Sequence, residues 1–373
     1  MKFLHVSDLH LGKRLYGCSL AEDQDSILQQ ILTLAARPDV DAILIAGDVY
    51  HRAQPQPDAI AQFSRFLTRL ARLKKPAFIT RGNHDGEAQL AYASPLLADS
   101  GIHISGIFDG AIPRIPLRDA HGPLYVHLMP FFKPYQARRC FPDDPIETYA
   151  DAVAAVLRRA EIDPAARNVL VTHHFIAGAQ ISDSEERSIG GLDQIPADAF
   201  KDFDYVALGH LHKSQTLGHG RLRYCGAPLV YSFDECGRTC SATLVTIGEK
   251  GAENAFELVP FQPLHPCRRL EGTLAELCAQ PRCEDYVQIR LTDPVRPLDP
   301  VGSLKLTYPN LLSLSSAAND PIEKNGEEAP ALDPALTPLE HFLAFYTSQN
   351  SHPPAEAQTD VIREIIREGD ADA

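Results

Sequence analysis

Phe3-Leu4-His5-Val6-Ser7-Asp8-Leu9-His10 decides the fold: an apolar run too short for a helix ends in an Asp-x-His pair, two metal-binding side chains at the tip of a strand. The arrangement recurs along the chain. Ala42 to Ala46 runs into Gly47-Asp48, Ala77 to Thr80 into Gly82-Asn83-His84-Asp85, Val169 to Thr172 into His173-His174, and Tyr205 to Leu208 into Gly209-His210-Leu211-His212. Each run has the length and composition of a strand buried on both faces. In open α/β sheets, ligand sites lie just beyond the carboxyl ends of the strands, so all five endings can converge on one crevice. A single Asp-x-His or a single histidine says little; several in strand-end positions, with Gly47, Gly82 and Gly209 leaving room for tight turns, point to one metal site.

Between these runs, Ile27, Leu28, Ile31, Leu32 and Leu34, and then Ile60, Phe63, Phe66, Leu67 and Leu70, recur at helical spacing. Strands alternating with helices predict a layered α/β domain. Leu124 to Leu128, Leu222 to Tyr224, Ala242 to Ile247 and Phe256 to Pro260 are further strand-like runs, and the later ones have no helix between them. They are expected to form a second sheet, packed on the first as a two-sheet sandwich flanked by helices.

Past residue 265 the pattern restarts, with strand-like runs at Tyr286 to Leu291 and Asn310 to Leu314 around a short helix at Asp299 to Leu306. The expected division is therefore a catalytic domain over 1–265, a small α+β capping domain over 266–315, a flexible linker over 316–336 rich in Ala, Asn, Glu and Pro, and a helical tail over 337–373. Thr337, Pro338 and Glu340 predict a capping box with proline at the first helical position. The apolar faces of the tail, including Phe342, Tyr346, Val361 and Ile365, have little core of their own and are expected to dock on a partner.

With 44% hydrophobic and 23% charged residues, the 373-residue chain has the composition of an ordinary globular protein. Its formal net charge of −14 argues against holding nucleic acid by its overall field; such contact must be local or supplied by a partner. Neither a basic start followed by an apolar run nor an apolar stretch of membrane-spanning length is present, so a cytoplasmic protein without membrane contact is expected. The eight cysteines form no C-x-x-C pair and read as idle reduced thiols.

The donor set contains carboxylates, imidazoles and a carboxamide but no thiolate, which favours manganese, with magnesium or iron as alternatives, over a structural zinc. Seven ligating side chains exceed what one ion needs; two ions roughly 3.5 to 4 Å apart, bridged by one carboxylate, would use them all.

In order, D-x-H, G-D, G-N-H-D, H and G-H-x-H resemble the motifs of the calcineurin-like metallophosphoesterases. Phe3 to Lys13, Gly47 to His51, Phe203 to Lys213 and Tyr224 to Glu235 narrow the likeness to the SbcD-type nuclease subunits of that family. The resemblance implies that Asp8, His10, Asp48 and His212 hold one ion and Asp48, Asn83, His173 and His210 the other, with Asp48 as the bridge. It makes His84 the catalytic histidine and places at His51 a histidine typical of nucleases rather than phosphatases. His174 is expected to line the site and Asp85 to orient the His84 loop.

Lys13, Arg14, Arg52, Arg81 and Lys213 adjoin the motifs and are candidates for DNA-phosphate contacts. The implied activity is manganese-dependent cleavage of DNA phosphodiesters, as a 3′–5′ exonuclease and an endonuclease, by a homodimer assembled with an SbcC-type ATPase into a heterotetramer. A stand-alone phosphatase or cyclic-nucleotide phosphodiesterase would lack the cap and tail, and a non-catalytic scaffold for the ATPase would have lost at least one of these donors.

Overall fold

The computed structural model describes residues 1–180, 194–295, 297–317, 336–350 and 352–371. Its strands are, in chain order, β1 (Lys2–Val6), β2 (Arg14–Leu15), β3 (Cys18–Ser19), β4 (Ala42–Ala46), β5 (Ala77–Thr80) and β6 (Ile102–Ile104). Then follow β7 (Arg114–Asp119), β8 (Gly122–Met129), β9 (Arg167–Thr172), β10 (Tyr205–Leu208), β11 (Gln215–Leu217) and β12 (Leu222–Tyr224). The last are β13 (Ser241–Thr246), β14 (Ala255–Pro260), β15 (Cys267–Gly272), β16 (Tyr286–Leu291) and β17 (Leu311–Ser316). The helices that flank the sheets are α1 (Ala21–Ala35), α2 (Pro57–Arg72), α3 (Glu87–Leu90), α4 (Ser94–Ala98), α5 (Pro134–Cys140) and α6 (Tyr149–Leu157).

Two six-stranded sheets carry the fold, in the orders β14-β13-β1-β4-β5-β6 and β11-β12-β10-β9-β8-β7. Their inner faces meet in one apolar layer, where Phe3, Leu44, Phe78 and Val245 of the first sheet pack with Val126, Val171, Tyr205 and Ala207 of the second. On the outer side of the first sheet, Ile43 and Ile45 join Ile27, Ile31, Phe63 and Phe66 of α1 and α2. On the outer side of the second, Leu170, Val206 and Leu208 join Val153 and Val156 of α6. The sandwich flanked by helices expected from the sequence is therefore present, because strands buried on both faces need an apolar partner on each side.

The sheet memberships differ from expectation. Ser241–Thr246 and Ala255–Pro260 belong to the first sheet, where β13 pairs antiparallel with β1 from Lys2↔Thr246 to His5↔Thr243. The chain crosses from one sheet to the other between β12 and β13, and an antiparallel strand can join any free edge without a crossover helix to mark the choice. Consequently the five motif-bearing strands are not one set of neighbours: β1, β4 and β5 lie in the first sheet, β9 and β10 in the second. Their carboxyl ends meet across the seam. Helix α5, helix α6 and strand β15 were not foreseen; Cys-Arg-Arg-Leu-Glu-Gly is too polar to read as a strand.

Strands β15, β16 and β17 form a three-stranded sheet in that order. By internal contacts the chain divides into one unit of 1–270, 281–289 and 305–313 and another of 271–280, 290–304 and 314–373. The linker expected over 316–336 lies, apart from its ends, outside the described residues. Beyond it a helix begins at Pro338, with the Thr337 amide donating to Glu340 at 2.7 Å and the Glu340 amide to Thr337 Oγ1 at 3.3 Å, the reciprocal cap read from the sequence. A second tail helix spans Glu356–Ala371. Among the described residues, no helix is long and apolar enough to cross a membrane.

Phe78 is fully buried between the sheets. Phe78→Ala is expected to lower stability by about 3–5 kcal/mol in denaturant unfolding, and a loss below about 1 kcal/mol would show that the inter-sheet layer is not what holds the fold.

Candidate metal centre

Each site residue is presented by a loop that leaves the end of a strand, and the loops interlock. The Asp8 amide donates to the Gly47 carbonyl at 3.1 Å and the His10 amide to the Asp48 carbonyl at 2.9 Å, which zips the turn after β1 to the turn after β4. Asp8, His10, Asp48 and His210 all have positive φ, at 54°, 44°, 50° and 96°, a region that non-glycine residues enter at a cost. Two glycines let the loops close. A Cβ on Gly82 would lie 2.1 Å from Asp48 Oδ1, and one on Gly209 would lie 1.8 Å from the Ala46 carbonyl oxygen.

Asp85 is the tie between two of these loops, accepting from the amides of Val49 at 3.1 Å, Tyr50 at 2.8 Å and Gly82 at 2.9 Å. Burial and the nearby Asp48 charge push its carboxyl up to about 6. The second sheet is tied to the first by His173, whose Nδ1 donates to the Ala46 carbonyl at 2.7 Å. That bond fixes the tautomer and turns Nε2 towards the seam. The His210 amide adds another link by donating to Asp8 Oδ1 at 3.1 Å.

The donors fall into two groups that share Asp48. In one, His10 Nε2 lies 3.6 Å from Asp48 Oδ2 and 3.2 Å from His212 Nε2, and the donor atoms of Asp8, His10 and His212 all lie within 4.8 Å of one another. In the other, His173 Nε2 lies 3.3 Å from Asp48 Oδ2 and 3.1 Å from Asn83 Oδ1, which is 3.0 Å from His210 Nδ1. All seven residues named from the sequence as ligands are thus brought together.

His212 donates from Nδ1 to Glu235 at 2.6 Å, so its Nε2 turns a lone pair towards His10. Two buried carboxylates surrounded by facing acceptors are repulsive unless positive charge sits between them, and this nitrogen and oxygen set suits divalent cations.

Electrostatics agree. Burial drives His10 well below the usual histidine range and His210 to about 3, leaving their nitrogens unprotonated and able to bind a cation. Burial opposes ionisation of Asp48, but the charge of His173 and its hydrogen bond to the carboxylate hold Asp48 well below the usual range. His173 shows the reciprocal effect: burial works against its charge, yet the Asp48 carboxylate raises it to about 9.

His84 stands at the solvent side of the group, 40% exposed, with Nε2 4.0 Å from Asp48 Oδ2 and Nδ1 3.0 Å from the His51 carbonyl. The His51 ring stacks on it, centroids 5.6 Å apart and 18° from parallel. Burial and the Lys13 charge lower His51 to about 4. His174 turns the other way, bonding Thr172 Oγ1 at 2.9 Å and stacking on Phe131.

The basic residues separate. Lys13 shares a cleft of about 260 Å³ with His10, His84 and His212. Arg14 and Arg52 line a smaller hollow with His51. Lys213 is on the surface, bonded to Gln180 at 2.9 Å. Arg81 does not reach the cleft: its guanidinium is buried, donates to the Phe131 carbonyl and pairs with Glu87 at 2.9 Å, so it is spent on holding a loop.

Two residues were missed. Buried Glu235 grips His212, accepts the Tyr231 amide at 2.9 Å and pairs with Arg238 at 3.1 Å. Tyr231 donates to the Leu9 carbonyl at 2.6 Å and packs edge-on against His10 and His212. An acidic residue next to no strand-end motif carries no signal of its own, although the segment containing both resembles relatives.

The profile of the family described as calcineurin-like phosphoesterase matches residues 1–214, and that described as Type 5 capsule protein repressor C-terminal domain matches residues 260–350. The chain is 30% identical over 374 residues to the SbcD component of the SbcCD nuclease of Staphylococcus epidermidis, covering 98% of each protein. Among solved structures, a Thermus thermophilus protein aligns at 13% identity and a TM-score of 0.41 over 69% of this chain and 98% of its own. A dimetal phosphatase from Danio rerio aligns at 10% identity and a TM-score of 0.37 over 69% of this chain and 99% of its own. Overlaps that weak carry no argument.

Glu235→Gln is expected to weaken binding of divalent cation about tenfold or more by removing the charge that orients His212; calorimetry with manganese giving an unchanged Kd would exclude that role. Because a cation must displace the proton that His173 holds below about 9, binding is expected to strengthen as pH rises towards that value. Proton release on binding, read from calorimetry in buffers of different ionisation enthalpy, checks the sign.

Proposed function

The chain belongs to the calcineurin-like phosphoesterases and is homologous to the SbcD component of the SbcCD nuclease, and from that premise we propose that it is a manganese-dependent DNA exonuclease and endonuclease that processes double-strand ends and hairpins with an SbcC-type ATPase. The observation carrying this reading is the Asp48 carboxylate, whose Oδ2 is flanked by His10 at 3.6 Å and His173 at 3.3 Å, one from each donor group.

On this reading Asp8, His10, Asp48 and His212 hold one ion, and Asp48, Asn83, His173 and His210 the other. When bound, the pair of ions supplies charge stabilisation at the phosphorus and activation of the attacking water. The remaining chemistry belongs to the chain. His84, its Nδ1 pinned by the His51 carbonyl, presents Nε2 to the cleft and protonates the leaving sugar oxygen. His51 is a positioning residue that keeps the His84 ring in plane, and its lowered pKa keeps it neutral beside that ring. Lys13, Arg14 and Arg52 contact phosphates flanking the cut, with Lys213 further out; no base is read.

Residues 1–265 act as the nuclease domain and 266–315 as a cap that guides DNA. The tail over 337–373 docks on the ATPase, a role suited to its exposed Phe345, Val361 and Ile365. A groove of about 600 Å³ beside α2, lined by Ile60, Phe63, Leu67, Tyr92 and Leu97, is suited to the homodimer contact within a cytoplasmic heterotetramer. With a net charge of −14, the chain relies on the ATPase to clamp DNA.

The test incubates the chain with manganese and linear duplex, hairpin DNA or a small aryl phosphodiester, with and without the ATPase. Asp48→Ala should abolish cutting, and His84→Gln should keep its metal yet lose at least about 100-fold in turnover. Normal turnover by His84→Gln refutes the assigned role, and hydrolysis of the aryl ester alone under every condition refutes the DNA substrate.

A further inference from the structure

His10 has two sets of neighbours. Its Nε2 faces Asp48 and His212, yet its ring also meets His51 and His84, and one ring nitrogen from each of these three lies within 4.8 Å of the other two. His10 stands at 88° to His84 with centroids 4.9 Å apart and at 75° to His51 at 5.6 Å, while His51 and His84 lie 18° from parallel. The three rings therefore approach one another from two directions. His84 spends Nδ1 on the His51 carbonyl, which leaves the lone pair on Nε2. The buried Nδ1 atoms of His10 and His51 have no hydrogen-bond partner among the described residues. Buried polar nitrogens left in that state call for one.

We propose that His10, His51 and His84 form a separate zinc position, and that zinc held there silences the manganese centre. The position is read from ring geometry; the silencing rests on the functional reading above. The donor sets differ in kind. The two manganese positions are built round the Asp48 carboxylate, whereas all three donors here are imidazoles, which suit zinc better than manganese. Zinc bonds imidazole at roughly 2.0–2.1 Å in a tetrahedron, so neighbouring nitrogens stand about 3.4 Å apart and the rings close by about an ångström. His84, 40% exposed, has room for that movement. The cleft of about 260 Å³ that His10 and His84 line supplies water for the fourth corner.

Surrounding charge leaves the choice of ion to bond strength. Lys13 lines the same cleft and repels a cation, whereas Asp48 Oδ2, 4.0 Å from His84 Nε2, attracts one. Affinity for nitrogen then decides, and zinc exceeds manganese in it. Zinc on His84 Nε2 occupies the lone pair that would carry the proton to the leaving sugar oxygen. It also draws on His10, a ligand of the first manganese.

The experiment dialyses the full chain in excess manganese against zinc chloride and measures bound zinc by elemental analysis. Wild type is expected to retain about one zinc per chain, and His51→Ala and His84→Gln to bind it at least about tenfold more weakly. Manganese affinity of His51→Ala, expected at the wild-type value, shows that the fold and the manganese pair survive the change. Zinc held as tightly by both variants as by wild type, or no zinc held by any of them, overturns the position. Cleavage of an aryl phosphodiester by wild type is expected to fall as zinc fills the position, at least about tenfold at saturation, while His51→Ala keeps its own rate at the same zinc concentration. Zinc bound through His51 with no loss of rate overturns the silencing and leaves the position standing. Failure of the functional reading is told apart by Asp48→Ala cutting as the wild type does, an outcome that does not touch the dialysis result.

Discussion

Everything at this site follows from one constraint: Asp48, a carboxylate with almost no exposure, must stay ionised in the seam between two sheets. A buried charge is tolerated only where opposite charge and hydrogen bonds surround it. Here they come from three directions. The His84 amide donates to Oδ1 at 2.9 Å, His10 approaches from the first sheet and His173 from the second. The closures at Gly82 and Gly209, the Asp85 tie and the His173 link to Ala46 all bring those groups within reach. The fold therefore does more than display the ligands; it makes a cation the natural occupant of the space they enclose.

Much of this was readable from residue order, because strands buried on both faces are short apolar runs and their tips carry the chemistry. The runs at Phe3, Ala42, Ala77, Val169 and Tyr205 are strands, and the side chains that follow them do meet. Sheet membership was not readable, since β13 has the same apolar character whichever edge it joins, and only its register with β1 decides. Arg81 looked like a phosphate contact because it adjoins Gly82, but adjacency in sequence does not fix where a long side chain turns, and Glu87 claims it. Glu235 was invisible for the opposite reason: it lies 23 residues from His212, and no local pattern connects them.

The support around the ligands is uneven. His173 is anchored by a backbone carbonyl, which no substitution can remove, whereas His212 depends on a side chain whose own neighbours include an arginine and a thiol. One half of the centre is thus fixed by the main chain of the first sheet. The other half rests on a side chain carried by a short turn at 233–235.

The left-handed backbone at Asp8, His10, Asp48 and His210 also bears on how such a protein can change over evolutionary time. Of the residues that enter this region with least penalty, asparagine, aspartate, histidine and glycine lead, and β-branched side chains are nearly barred. Drift at these four positions is therefore filtered twice, by coordination chemistry and by main-chain geometry. Glutamate, chemically close to aspartate, is poorly placed on both grounds. Variety in this lineage should accumulate elsewhere in the chain, around a centre that has almost nowhere else to go.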